Sequence, residues 1–555
     1  MTHSFDYIVI GSGPGGSVLA NRLSADPAIS VALIEAGPSD RRWPVNIKTI
    51  MPVGNIFLIP HARYNWQQQL TGGDAIDGRV IGFPRGKLFG GCSAINGGVY
   101  IRGQEEDYAG WVQAGNPGWG WDDVLPVFKR LENYHGPDKP WHGKGAELDV
   151  EKPASFNPIT TAIIDAAVEA GHYHNEDFAA ERKDGFGRYD LNQRRGTRLS
   201  AARAFLHPAL GRPNLSVFDE TLVRRIIIND GRATGIEIER EGKREIMTAK
   251  SEVLVSAGAT NSPHLLMLSG IGDRDDLVKV GVEPAHHLPG VGAHLQDHPT
   301  VHISVENPTG ESYANSRSAL ARNAFAPFKY ALKREGMFAS NVAECGGFVC
   351  TDGSGRPDIQ MTFLVGLKGN ARVVPSDHGF MALIQLLRPN SEGRVRLASN
   401  RAEDKPIIEP NFFDDPRDMA TLIAGFREAR RIFAQPALAA MRGKEIEPGA
   451  EHVSDEALDK ALRKIVNTAY HPTGTCKMGP ASDPLAVVDD RLRVHGIDGL
   501  RVIDASVMPS IISGNTSAPT MMIAQRAADF ILEERKSHNS QAAETVRVAE
   551  TELQL

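Results

Sequence analysis

Residues 6–23 read DYIVIGSGPGGSVLANRL, with glycines 11, 13 and 16 in a G-x-G-x-x-G pattern. Gly11 permits a tight turn, Gly13 lets the backbone approach a pyrophosphate, and Gly16 lets the next helix pack on its strand. The turn, Ser12 included, leads into a helix N-terminus whose free N–H groups suit phosphates. A second apolar run, Val31-Ala32-Leu33-Ile34, ends in Glu35-Ala36, where an acid can take the hydroxyls of a ribose. Strand, glycines, helix, strand and acid in that order predict a dinucleotide site without separating NAD from FAD.

His471, in AYHPTGTCKMG (469–479), is a candidate of another kind. An imidazole with an ordinary pKa of about 6.5 is mostly neutral at physiological pH and can accept a proton. His294 and His298, in VGAHLQDHP, have an i, i+4 spacing that can chelate zinc on a helix. Pro289, Gly290, Gly292 and Pro299 argue against a long helix there, and no glutamate lies between the two histidines. No metal site is expected, and the segment is read as a loop against the nucleotide lobe. Four cysteines without a C-x-x-C pair predict neither a disulfide framework nor a dithiol redox centre.

Three further segments must position these groups. RGKLFGGCSAINGGVYIRG (85–103) mixes Gly86, Gly90, Gly91, Gly97, Gly98, Gly103 and Asn96 with Leu88, Phe89, Ile95, Val99 and Ile101, which suits backbone laid against a flat ligand. GATNSPHLLMLSGIG (258–272), after the apolar run 253–257, predicts a second strand–helix unit with Pro263 in the first helical turn. SGNTSAPTMMIAQRAADFIL (513–532) has Ala518, Met521, Met522, Gln525, Ala528, Ile531 and Leu532 at helical spacing. Asn515 to Ser517 are its cap candidates and Pro519 fits its first turn.

At 555 residues, 41% hydrophobic and 23% charged, the chain has material for two large lobes and excludes whole-chain disorder or a coiled coil. A net charge of −7 is no nucleic-acid footprint. The start MTHS lacks the basic and apolar regions of a secretory leader, and no run of about 18 apolar residues spans a bilayer. The expectation is a cytoplasmic protein with no integral membrane segment.

Together, GKLFGGCSAINGG, GATNSPHLLMLSGIG, HPTGTCKMG and GNTSAPT resemble the signatures of the glucose–methanol–choline family of flavin oxidoreductases. RYNW (63–66), SNVAECGGF (340–348) and HPTGTCKMG point to its alcohol and choline dehydrogenase branch. The resemblance implies an α/β fold, a Rossmann-type FAD-binding domain interleaved with an α+β substrate-binding domain. The FAD-binding pieces are expected at 1–155, 195–310 and 465–535, the substrate domain at 156–194 and 311–464, and a polar tail, disordered or a frayed helix, at 536–555. The resemblance further implies that Gly11, Ser12, Gly13 and Gly16 hold the pyrophosphate and Glu35-Ala36 the adenosine ribose. Trp66, Gly91, Asn96, Gly97, Gly98 and Val99 would line the ring system, Val223 would touch the adenine side, and Asp504, Ala505, Asn515 and Thr516 would close over the flavin.

Covalently flavinylated relatives carry histidine where this chain has Ile95, whose side chain has no nucleophilic atom, so noncovalent FAD is expected. In the implied reaction, oxidation of a primary alcohol to the aldehyde, His471 is the base and Asn515 holds the substrate oxygen. Choline oxidation and cleavage of a cyanohydrin by a lyase on the same fold are the alternatives. The substrate lobe contains no tryptophan, all six lying at or before residue 141, and offers Phe325, Phe328, Phe338, Phe348 and Phe363. With only phenylalanines to face a quaternary ammonium, a neutral alcohol is favoured. Glu344 is a candidate counter-charge for a cationic substrate. Oxygen or a quinone would re-oxidise the flavin; the small Ala469 leaves room for oxygen.

Overall fold

A computed structural model describes residues 3–153, 155–314, 316, 319–367 and 377–552. The β-branched run Ile8-Val9-Ile10 lies in the strand His3–Ile10, whose last four residues are all buried. Burial on both faces is what a central parallel strand requires. Its parallel neighbours are Val31–Ile34 on one side and Lys243–Val255 on the other. Leu215–Phe218 extends the sheet beyond Val31–Ile34, and Leu500–Val502 pairs in parallel with Val253–Val255. The antiparallel hairpin Thr221–Asn229 and Arg232–Arg240 joins the other half of the long strand, at Lys243–Thr248. One strand thus serves both the nucleotide core and a hairpin extension.

Between the first two strands runs the helix Pro14–Leu23, with Pro14 at its start. A Cβ on Gly16 would lie 1.8 Å from the Gly11 carbonyl oxygen, so only glycine lets this helix approach its strand. The helix Asn261–Leu268 follows Lys243–Val255, as its sequence predicts.

The second sheet is antiparallel, in the order Glu445–Glu447, Pro299–Glu306, Gly379–Leu386, Ile359–Leu364, Cys345–Val349, Gly185–Arg188. The strand Pro299–Glu306 lies in this sheet, ahead of the changeover at 310 expected from sequence, because Thr300–Glu306 pairs with Gly379–Gln385. A smaller sheet joins Gln68–Thr71 and Val80–Phe83 to Arg394–Arg396 and Ile407–Glu409, stitching early chain to late. The C-terminal helix runs Ser517–Glu552, so the tail continues as helix as far as Glu552; residues 553–555 lie outside the described residues. Among the described residues no helix is long and apolar enough to cross a membrane.

A fully buried ion pair anchors the segment after the glycine-rich stretch. Arg102 donates to Glu132 at 2.6 Å with both side chains fully buried, and Glu132 also bonds His142 and the Gly143 N–H. Removing one partner leaves an uncompensated buried charge. Arg102→Ala should therefore lower stability by about 3–5 kcal/mol in guanidinium titrations. Removing Arg182, exposed and paired with half-buried Asp184, should leave stability nearly unchanged. Equal costs for the two would contradict this reading.

Candidate functional site

Two chain segments far apart in sequence are zipped together antiparallel at the junction of the two sheets. Gln296 and Thr473 exchange backbone hydrogen bonds at 3.1 and 2.9 Å, Ala469 N–H donates to the His298 carbonyl at 3.0 Å, and Thr300 pairs with Asn467. This ladder brings His298 beside His471, their Nδ1 atoms 3.0 Å apart. Asp297 locks the junction: its carboxylate accepts from His298 N–H at 2.8 Å, His471 N–H at 2.9 Å and the Thr468 hydroxyl. Burial pushes the Asp297 carboxyl up to about 6 despite these donors.

The far nitrogen of His471 meets Asn515, with Nε2 and Nδ2 3.1 Å apart. Asn515 Oδ1 accepts from Gln360 Nε2 at 3.3 Å, and the same Nε2 donates to Tyr189 Oη at 3.1 Å. With its oxygen turned to Gln360, the Asn515 amide presents N–H to His471. Nε2 of His471 is then the acceptor, its proton sits on Nδ1, and His298 Nδ1 accepts it. The carbonyls of Ile512 and Leu387 act to raise the His298 pKa, but its remaining nitrogen, Nε2, is buried without a hydrogen-bond partner among the described residues. Burial, His298 and Arg85 together hold the His471 imidazole well below its ordinary pKa. Burial likewise pushes His298 down to about 4. The pair is therefore neutral at pH 7, with a base-competent lone pair beside an N–H donor.

The residues expected to hold the nucleotide lie close to one another around the glycine turn. Gly11 has φ +93°, and a Cβ there would meet the Ser256 carbonyl oxygen at 2.5 Å. A Cβ on Gly13 would meet nothing within 4 Å, the open approach a phosphate needs. Gly91 (φ +50°) abuts Gly13, and Gly90 N–H donates to the Ser12 carbonyl at 3.0 Å, so the 85–103 segment lies against the turn. Glu35 ends its strand buried, accepting from Ser12 N–H (3.0 Å), Ser12 Oγ (2.7 Å) and Gly37 N–H (2.8 Å), with Ala36 beside it. Burial raises its carboxyl pKa against those donors. Thr221 N–H donates to the Glu35 carbonyl, which brings the hairpin carrying Val223 to the same end of the sheet.

Asn96 Oδ1 accepts from Gly98 N–H (2.9 Å) and Arg198 (3.0 Å), and the Gly97 carbonyl accepts from Asn341. Ser93, Asn96, Gly98, Asn192, Arg198 and Ser517 line a cavity, and buried Asn192 Nδ2 and Ser517 Oγ have no protein partner. Val99 is buried at its edge. Trp66 is half-buried under Lys87, 4.7 Å from its ring. Asp504 accepts from Ser262 Oγ, Gly258 N–H and Ser506 N–H, tying Ala505 to the second strand–helix unit. Thr516 is half-buried at the start of the last helix. Open space at Gly13, the unpartnered Asn192 Nδ2 and Ser517 Oγ beside the 93–98 turn, and a buried acid at the strand end fit FAD. Ile95 is buried with Leu88, Ala94, Val45 and Leu58.

Two expectations are corrected. Glu344 is no free counter-charge: its carboxylate accepts from Asn157 N–H, Thr160, Tyr313 and Ser340, all within 3.0 Å. Phe325 and Phe328 lie on the surface, and Phe363 is buried among Phe186 and Phe433. Phe348 comes close, 4.0 Å from a Cβ built on Gly514, and Phe338 is half-buried against Tyr330. His294 and His298 diverge, His294 bonding the Pro509 carbonyl and Glu392 while His298 turns to His471. His298, Asp297 and Gln360 escaped the sequence reading. The repeated His-Pro step, His298-Pro299 and His471-Pro472, was the available cue, since the residue before proline is held extended.

The GMC oxidoreductase family models match residues 5–300 and 389–524. The chain is 41% identical over 95% of its length to an alcohol dehydrogenase [acceptor] of Pseudomonas putida, covering 96% of it. It is 40% identical to the mitochondrial choline dehydrogenase of Homo sapiens, covering 95% of this chain and 89% of the relative. A solved structure of pyridoxine 4-oxidase from Mesorbium loti superposes with TM-score 0.84 at 30% identity, over 95% of this chain and 98% of that one. One of formate oxidase gives TM-score 0.89 at 26%, over 97% and 99%.

Glu344→Gln should destabilise the protein by about 1–3 kcal/mol, because an amide cannot satisfy four donors. Denaturant titration reads this directly; unchanged stability would contradict the structural role given to Glu344.

Proposed function

The chain belongs to the GMC oxidoreductases, an FAD-dependent oxidoreductase acting on CH–OH groups, and on that premise we propose that it oxidises a neutral primary alcohol to the aldehyde with His471 as base. The single observation that carries the reading is the meeting of the His471 Nε2 lone pair and the Asn515 Nδ2–H at 3.1 Å. An alcohol hydroxyl needs both groups, one to accept its proton and one to donate to its oxygen. Bound FAD supplies the hydride acceptor for the same carbinol carbon.

The residues divide the remaining work. Gln360 turns the Asn515 amide so that N–H faces the substrate oxygen, and His298 keeps the His471 proton on Nδ1, leaving Nε2 free. Asp297 fixes both histidine backbones without touching either ring. Ile95 lacks a nucleophilic atom, which supports a cofactor held without a covalent bond. Glu344 is held by four donors and the aromatic beside Gly514 is a phenylalanine, a weak setting for a quaternary ammonium. This supports a neutral alcohol over choline. The acceptor that re-oxidises the flavin is oxygen or a quinone.

The test is the visible spectrum of the anaerobic holoprotein while alcohols are added. A neutral primary alcohol should bleach the flavin band, with kcat/KM for choline lower by about tenfold or more. A flavin left oxidised by every alcohol while a cyanohydrin is cleaved would overturn the oxidative reading. The pH dependence has a definite sign: a base must be unprotonated, so kcat/KM falls as pH drops. Because burial depresses both histidines, the acid limb should centre below about pH 6.5 and belong to the pair rather than to one ring. A limb centred above about pH 7.5 would contradict it.

A further inference from the structure

The most exposed large apolar side chains lie in two adjoining segments. The helix Leu320–Lys333 turns Phe325 (71% exposed), Phe328 (67%) and Leu332 (84%) to solvent, at i, i+3 and i+7 along one stripe. Its other face is buried through Ala326 and Tyr330. Tyr330 Oη donates to the Ile50 carbonyl at 3.1 Å, which fixes this helix beside the short helix Val45–Ile50. There Ile47 is exposed, Trp43 (79%) precedes it, and Ile56 and Phe57 are exposed just beyond. Isolated surface hydrophobics are ordinary, but a contiguous group of aromatic and aliphatic tips marks an interaction face.

Charge identifies the occupant. About one residue in eight of the chain is acidic and its net charge is −7, yet residues 41–73 and 320–334 contain no Asp or Glu. Arg42 and Arg63 are paired with Asp219 and Glu220, and Lys329 with Glu335. Arg41, Lys48, Lys333 and Arg334 form no ion pair among the described residues. Phe, Trp and Leu tips rimmed by unpaired cations are the composition of an interfacial membrane contact, in which apolar tips enter the headgroup region and cations meet phosphates.

We propose that this face docks peripherally on an anionic lipid bilayer, through Trp43, Phe57, Phe325, Phe328 and Leu332. Pro52, between the helix Val45–Ile50 and the short helix Asn55–Leu58, has its carbonyl bonded at 2.5 Å by Arg198, which also holds Asn96 at 3.0 Å. A single side chain therefore separates the docked face from the wall of the flavin cradle.

The flavin-loaded enzyme should co-sediment with phosphatidylcholine vesicles containing about 30% phosphatidylglycerol at least about tenfold better than with phosphatidylcholine alone. High salt should weaken the binding, since lipid charge acts within a Debye length. The double variant Phe325→Glu, Phe328→Glu should lose about tenfold or more of the binding while keeping its flavin content and melting temperature. No sedimentation with anionic vesicles, or sedimentation indifferent to the double variant, would overturn the proposal. So would a dimer that the double variant converts to monomer without any vesicle binding, since the face would then belong to a second copy.

Discussion

A buried and a half-buried imidazole, 3.0 Å apart, share one hydrogen bond, and on the proposed reading that contact sets the chemistry of the site. Neither ring has a carboxylate to stabilise a charge, because Asp297 spends its oxygens on backbone N–H groups and Thr468. Burial then favours the neutral form of each ring. Once the pair is neutral, its protons are ordered from one end, by the Asn515 amide at His471. The free lone pair falls on the nitrogen that faces Asn515.

Much of the architecture reads as a means of forming that contact. His298 closes a loop leading into the strand Pro299–Glu306 of the antiparallel sheet, and His471 follows the short strand Asn467–Thr468 paired to it. Asn515 precedes the last helix, and Gln360 comes from the middle of the second sheet. Four elements far apart in sequence converge, so the site exists only when both sheets are built and joined. The cradle follows another logic: the glycine turn, the 85–103 segment and the Asp504 turn pack against one another largely through backbone, which is why glycine recurs there.

The cradle was legible in the sequence because its constraints are local. A strand, a turn that only glycine can make, a helix and an acid at a strand end each leave a short-range signature. His471 was legible through its motif and Asn515 through its resemblance. Asn515 also shows the limit of reading by position: its place ahead of a helix suggests a cap, whereas its amide is engaged at both ends by His471 and Gln360. His298 and Gln360 were not legible, because their roles depend on strand register between distant segments. Glu344 misled for the same reason. An acid in a glycine-rich stretch looks available until four donors from separate elements close on it.

The claim on which the account turns is that the His471 Nε2 lone pair takes the hydroxyl proton. The direct measurement is the rate constant for flavin reduction in anaerobic single-turnover mixing, for the native enzyme and for His471→Ala carrying its full flavin complement. The account predicts a fall of about 10²–10⁴-fold on removing the base. A variant that reduces its flavin within about threefold of the native rate would contradict it, since a positioned general base contributes far more than that.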